Sequence, residues 1–326
     1  MNDRAEAPST FIIATRNRPD ELQRAVESLV AQTVLPRELC IVDSSAEAPL
    51  RATIEELCSG VGISLDYLHP APRGLTVQRN IGIDRTEGDP VFLIDDDVYL
   101  EPDCHEEILK EYERWGEFEQ WGPELGGVAA TPTHPEGPGT LSVLWRRLFG
   151  IGGWWTEASG RMRSGFWVEG VLESAGVRKV DACLGFFMSF RRKVFRYERF
   201  DEALAGYADK EDIDFTYRVS RRFVLVQTPR ARCDHLKTET SRMSEPQIQR
   251  MKLSNHLYLN RKNMPQDLRH KAALWWGFLG LLGLNLGQAV KRRDPGLVSG
   301  IVKGVWEQAR RRGLVDPAID KASGSV

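Results

Sequence analysis

Cysteine is scarce and scattered. The chain has five (Cys40, Cys58, Cys104, Cys183 and Cys233), and no two stand in a CxxC spacing. An odd, dispersed set excludes a disulfide scaffold, a zinc knuckle and a redox dithiol, and it suits a reducing compartment. An excess of charge of one sign is missing too. The 44 Lys and Arg against 46 Asp and Glu leave a formal net charge of -2, which excludes a broadly basic surface for nucleic acid. Met1–Ser9 lacks the apolar core of a secretory leader, so the chain is expected to act on the cytoplasmic side. Internal repeats and low-complexity tracts are lacking as well. What remains is 326 residues, 41% of them hydrophobic, enough for one large domain or one domain with an appendage.

The first hundred residues alternate between two periodicities. Thr10–Thr15, Glu38–Asp43, Ser64–His69 and Val91–Ile94 are short apolar or β-branched runs, the pattern of strands buried on both faces. Between them Leu22, Val26, Leu29 and Val30 recur at helical spacing behind Asp20, and Thr76–Arg85 reads as another helix. This alternation predicts right-handed βαβ units around a mainly parallel sheet flanked by helices. Such sheets bind ligands beyond the carboxyl ends of their strands. The segment from about 131 to 176 is different: rich in Gly, Pro and Trp and weakly periodic, it is expected to be irregular. Val180–Phe190 and Phe223–Thr228 read as strands, an acidic helix start falls at Glu211-Asp212, and from about Glu245 the chain turns helical.

Three groups of residues carry chemistry. Asp95-Asp96-Asp97 closes an apolar run. Adjacent carboxylates raise one another's pKa unless a cation compensates, and Mg²⁺ commonly shares such oxygen ligands with substrate phosphates. A solvated acidic turn before a helix near Pro102 accounts for the same letters. Glu211-Asp212 suits a general base that takes a proton from a hydroxyl, or equally a helix start that complements the macrodipole. His235 follows a strand; it is either a structural histidine or an imidazole ligand for a divalent metal.

In order along the chain these features resemble family-2 glycosyltransferases of the GT-A, Rossmann-like α/β fold. The resemblance rests on Phe11–Pro19, Ile41–Ser45, Arg73-Gly74-Leu75 through Arg79-Asn80-Ile81-Gly82, Asp95-Asp96-Asp97 and Glu211-Asp212. It implies a GT-A domain over residues 1–244, with an acceptor lid at about 131–176, and a helical appendage over 245–326. The implied reaction is an inverting single displacement from a UDP-, dTDP- or GDP-linked sugar to a hydroxyl of a glycan or lipid-linked acceptor. Asp95 would face the ribose, and Asp97, with Asp95 and His235, would hold Mg²⁺ or Mn²⁺. Thr15 and Asp43 match base-contacting positions. Arg16, Arg18, Arg73, Arg79, Asn80 and Asp96 would complete the donor pocket. Asp212 would be the base and Glu211 its support. Three departures stand out. Asp43 is followed by Ser44 rather than a second acid, and the first strand ends Ala14-Thr15-Arg16. Gln247–Met251 lacks the tryptophan of the processive Gln-x-x-Arg-Trp motif, so a non-processive enzyme is expected. The alternatives are a nucleotidyltransferase, against which the glycine-free Thr15–Pro19 turn counts, and a non-catalytic nucleotide-sugar-binding protein of the same fold.

Trp145, Trp154, Trp155 and Trp167 crowd the irregular segment among Arg146, Arg147, Arg161 and Arg163. They suit either sugar and phosphate recognition or packing of a surface loop. Residues 272–290 carry no charge, include Gly277, Gly280, Gly283 and Gly287, and are flanked by Arg269-His270-Lys271 and Lys291-Arg292-Arg293. Basic clusters on both sides oppose a single crossing. The expectation is a peripheral or monotopic contact with the cytoplasmic face of the membrane, with a buried helix as the alternative.

Overall fold

The structure is a computed structural model and describes residues 4–122, 124–133, 140–151, 160–168, 176–204, 206, 208–236 and 245–292. Trp154, Trp155 and Arg293 lie outside them.

Four strands form a parallel block: β1 (Ala5–Thr15), β2 (Val34–Asp43), β3 (Ser64–Leu68) and β4 (Val91–Asp95). Helices α1 (Pro19–Val30), α2 (Arg51–Val61) and α3 (Leu75–Arg85) connect them. Proline opens α1 and Asp20 and Glu21 fill its first turn, while Leu22, Ala25, Val26 and Leu29 turn inward. Each large apolar side chain so buried contributes about 1.5–3 kcal/mol. Gly62 ends α2 at φ 89°, a left-handed cap that glycine adopts without a Cβ clash. Alternation along β1 divides the core: Phe11 and Ile13 pack with α1 and α2 on one face, Ile12 with Ile83 of α3 on the other.

The sheet then becomes mixed. After β4 come β5 (Val98–Leu100), α4 (Cys104–Glu113), β6 (Leu125–Pro132), β9 (Arg178–Val180), β10 (Phe187–Phe190), α6 (Glu211–Ser220) and β11 (Val224–His235). The order is β3-β2-β1-β4-β10-β6-β11-β5, with β9 also paired to β11. The strand expected over Val180–Phe190 is in fact two strands, because the chain leaves the sheet at Asp181–Phe186 to approach α6.

The segment expected to be irregular contains helix α5 (Thr140–Leu148) and a small hairpin of β7 (Met162–Arg163) and β8 (Trp167–Val168). Its flanking glycines and prolines hide a helix of only nine residues. Two further helices, α7 (Glu245–Asn263) and α8 (Leu268–Arg292), follow among the described residues. α7 docks on α6 through polar groups. Lys262 and Asn263 reach the buried Asp214 carboxylate at 2.9 and 2.8 Å, and Asn255 donates to the Asp209 carbonyl.

Candidate active site

The chain continues from β1 to β2 on one side and returns to β4 on the other, so the strand order reverses at the carboxyl ends of β1 and β4. Crevices form at such switch points. Register delivers the residues: Thr15 lies beside Asp43, and Ala14 beside Asp95. Beyond β4 the chain turns through Asp96 and Asp97 into β5, which runs against the end of β11 with Val98 opposite His235. Strand pairing thus brings His235 back to the acidic turn.

Asp95, Asp97 and His235 offer ligand atoms that all lie within 4.8 Å of one another. The imidazole Nε2 is 3.3 Å from Asp97 Oδ1, and its ring stacks on Phe186 at 5.0 Å. Two carboxylates and one imidazole are a donor set that suits Mg²⁺ or Mn²⁺. Asp96 looks the other way. It accepts from the Thr15 hydroxyl at 2.7 Å and from Arg18 at 3.0 Å, and Arg18 also reaches Asp97 at 3.0 Å. Burial pushes the Asp96 carboxyl up to about 7, against Thr15 and Arg18. Burial acts on Asp97 in the same sense, but the hydrogen bond and charge of His235 and the Arg18 cation outweigh it, and Asp97 stays below the usual carboxylate range. Neighbouring acids in one turn therefore have different protonation tendencies.

Arg79 joins this turn to α6. Only 2% of its side chain is exposed. The guanidinium donates to Asp95 Oδ1 at 2.8 Å, Glu211 Oε1 at 2.9 Å and the Gly185 carbonyl at 2.9 Å. Gly185 also donates its N–H to Asp212 at 2.6 Å. A Cβ on Gly185 would stand 2.8 Å from the Asp212 Cβ, so the approach requires glycine. Burial raises the carboxyls of both Glu211 and Asp212, Asp212 to about 6, against the Arg79 charge. The residue before them, Lys210, has φ 72° and gives α6 no side-chain cap. Its ammonium lies over Trp167 at 5.4 Å and contacts the His256 ring of α7. Burial brings that lysine down to about 8.

Of the expected donor-side residues, the structure gathers Thr15, Arg18, Asp43, Asp95, Asp96, Asp97 and His235 at the crevice. Asp43 is buried, accepting from the Tyr67 hydroxyl and the Ser45 N–H at 2.8 Å each. Arg16 is half-buried at the end of β1, and Arg73 is exposed before α3. Arg79 is turned inward rather than toward an open pocket. Asn80 faces away from the crevice, bonding the Phe200 backbone at both ends of its amide and Glu202. Gln78, Gly185 and Lys210 escaped the sequence reading. Gln78 clamps the ends of β1 and β2 by donating to the Thr15 and Val42 carbonyls. Its signal was its place one residue before Arg79; Gly185's was a glycine interrupting an apolar run.

Residues 10–117 match the sequence profile described as Glycosyl transferase family 2. The uncharacterized glycosyltransferase YwdF of Bacillus subtilis is 34% identical over 106 residues, which are 32% of this chain and 38% of YwdF. The chain therefore spans well under half the length of that relative. Among solved structures, S. aureus TarS 1–349 in complex with UDP-GlcNAc superposes with a TM-score of 0.55 at 14% identity, covering 96% of this chain and 83% of that one. The mannosyltransferase PcManGT of Pyrobaculum calidifontis, in complex with GDP-Man and Mn²⁺, gives 0.53 at 13% identity, covering 94% and 91%. At such identity the likeness speaks for fold, while the profile speaks for the strand–helix units that build the crevice. Residues 10–117 thus resemble glycosyl transferase family 2, and the fold is that of the GT-A glycosyltransferases.

Proposed function

We propose that the protein transfers a sugar, with inversion, from a nucleoside-diphosphate donor to a hydroxyl of a glycan or lipid-linked acceptor on the cytoplasmic face of the membrane. The observation that carries this reading is the Arg79 bridge. It fastens the acidic turn of β4 to the Glu211-Asp212 end of α6, making one site from groups far apart in sequence. The complexes of TarS with UDP-GlcNAc and of PcManGT with GDP-Man and Mn²⁺ support a donor of this class.

Asp97, Asp95 and His235 would hold Mg²⁺ or Mn²⁺, which supplies Lewis-acid stabilisation to the departing diphosphate. Arg18 adds a cation beside the same turn, where negative charge gathers as the leaving group forms. Asp43 and Thr15 border the crevice at the base end of the donor. Asp212 accepts the proton of the acceptor hydroxyl. Its Oδ2 is oriented by the Gly185 N–H, and its raised pKa makes it a better acceptor than a solvated aspartate. Glu211, paired to Arg79, keeps that arginine in place. The apolar run at 272–290 would keep the enzyme at the membrane.

A thermal-shift screen of UDP-, dTDP- and GDP-sugars with and without Mn²⁺ tests the donor. One nucleotide class should raise the melting temperature in the presence of Mn²⁺ and much less without it, as binding linkage requires. Stabilisation by no nucleotide under either condition would contradict the reading.

A further inference from the structure

Helix α8 has two apolar faces. Its inner face is notched by glycine: a Cβ at Gly277 would meet the Trp167 ring at 2.4 Å, at Gly280 the Phe149 Cβ at 2.3 Å, and at Gly283 the Trp145 ring at 2.3 Å. These glycines seat aromatic side chains of this same chain, so α8 is fastened along the protein surface. Two indole hydrogen bonds complete the seam with α5. Trp145 donates to the Gly280 carbonyl at 2.8 Å, and Trp276 to the Leu148 carbonyl at 2.9 Å.

The outer face is open. Leu268, Trp275, Trp276, Leu279, Leu286 and Val290 recur at helical spacing, and all are exposed. Beside them α5 presents Leu141, 83% exposed, Leu144 and Leu148. Because Trp276 bonds Leu148, the two stripes adjoin as one surface. Exposed apolar patches built from two elements mark an interaction site. Neither helix contains an aspartate or glutamate, whereas Arg146 and Arg147 lie in α5, and Arg269, Lys271, Lys291 and Arg292 at the ends of α8. Apolar surface with tryptophans and a mainly cationic complement, with the exposed Asp267 just before α8 as the exception, matches a bilayer with anionic headgroups. A protein partner would more often require charges of both signs.

We propose that α5 and α8 together form the surface by which the protein docks on an anionic bilayer, with α5 contributing directly. The idea rests on the membrane contact suggested above and adds to it a second element and a preference for anionic lipid. On such a surface α8 lies along the bilayer instead of crossing it, since a crossing would strip Trp145, Phe149 and Trp167 from their notches.

The experiment is flotation of the full-length protein with vesicles of phosphatidylcholine, alone or with 30–40% phosphatidylglycerol (about the fraction that gives a strongly anionic surface). The comparison is with the double variant Leu144→Glu, Leu148→Glu, whose side chains are exposed. The wild type should float with the anionic vesicles, and less at high salt. The variant should bind at least about tenfold more weakly. Its melting temperature and its Mn²⁺-dependent nucleotide shift should equal those of the wild type. Equal flotation of variant and wild type would remove α5 from the surface while leaving α8 as an anchor. A wild type that never floats would overturn the bilayer altogether, and a dimer broken by the variant would assign the face to self-association. The nucleotide shift reads the transferase proposal separately from all three outcomes.

Discussion

Asp212 and Glu211 are adjacent in sequence yet differently held. Glu211 is committed to Arg79, whereas Asp212 takes two backbone N–H groups, from Gly185 and Ile213. With its carboxyl pushed to about 6 by burial, Asp212 is ionised above that pH and protonated below it. A protonated carboxyl cannot accept the acceptor's proton, so turnover should fall as pH drops through about 6. Asp212→Asn should lower kcat by about 10²–10⁴ and abolish that acidic limb, with donor affinity little changed. A variant with near-normal kcat and an unaltered pH profile would return Asp212 to a purely structural place. The carboxylates were legible in the sequence because they end strands or open helices, where side-chain direction follows from position. Arg79 and Asn80 were not: they sit on one helix, and distant partners (Glu211 and Gly185 for one, Phe200 for the other) decide where long polar side chains point.

Elements with a strong period were equally legible. The β1–α1–β2 unit appears as expected because the apolar strand runs and a proline-opened helix with inward residues at helical spacing agree. Strand lengths were less so, since β11 runs on to His235 through polar residues that its pairing with β6 and β5 holds extended. Helix α5 is short and lies between glycines and prolines, so its period, with Ser142 and Arg146 on one side and Leu141, Leu144 and Leu148 on another, is easily lost in the surrounding irregular sequence. The glycines of α8 separate packing from propensity. Gly280→Ala must displace Phe149 and should destabilise by about 1–3 kcal/mol. Gly287→Ala, with nothing within 4 Å of its added Cβ, should stabilise by about 0.8–1 kcal/mol through helix propensity alone. Urea midpoints of the two variants check this. Equal shifts of the same sign would show that α8 does not pack on Phe149 as described.

Across the whole molecule, strand order makes the site. Reversal of strand order at β1 and β4, which run parallel, opens the crevice, the β5–β11 pairing returns His235 to Asp97, and the buried Arg79 carries the acidic turn to α6. Helix α7 then buttresses α6 through Lys262, Asn263 and Asn255, and links to Lys210 through His256. The central claim is that Asp97 and its neighbours hold a divalent ion against the donor's diphosphate. Calorimetric titration of UDP, or of whichever nucleotide the screen selects, into wild type and Asp97→Asn in saturating Mn²⁺ addresses it directly. Losing one ionised ligand should weaken nucleotide binding about 10–100-fold, and the wild type without Mn²⁺ should bind comparably weakly. Equal affinity in wild type and variant, with the same dependence on Mn²⁺, would contradict the assignment.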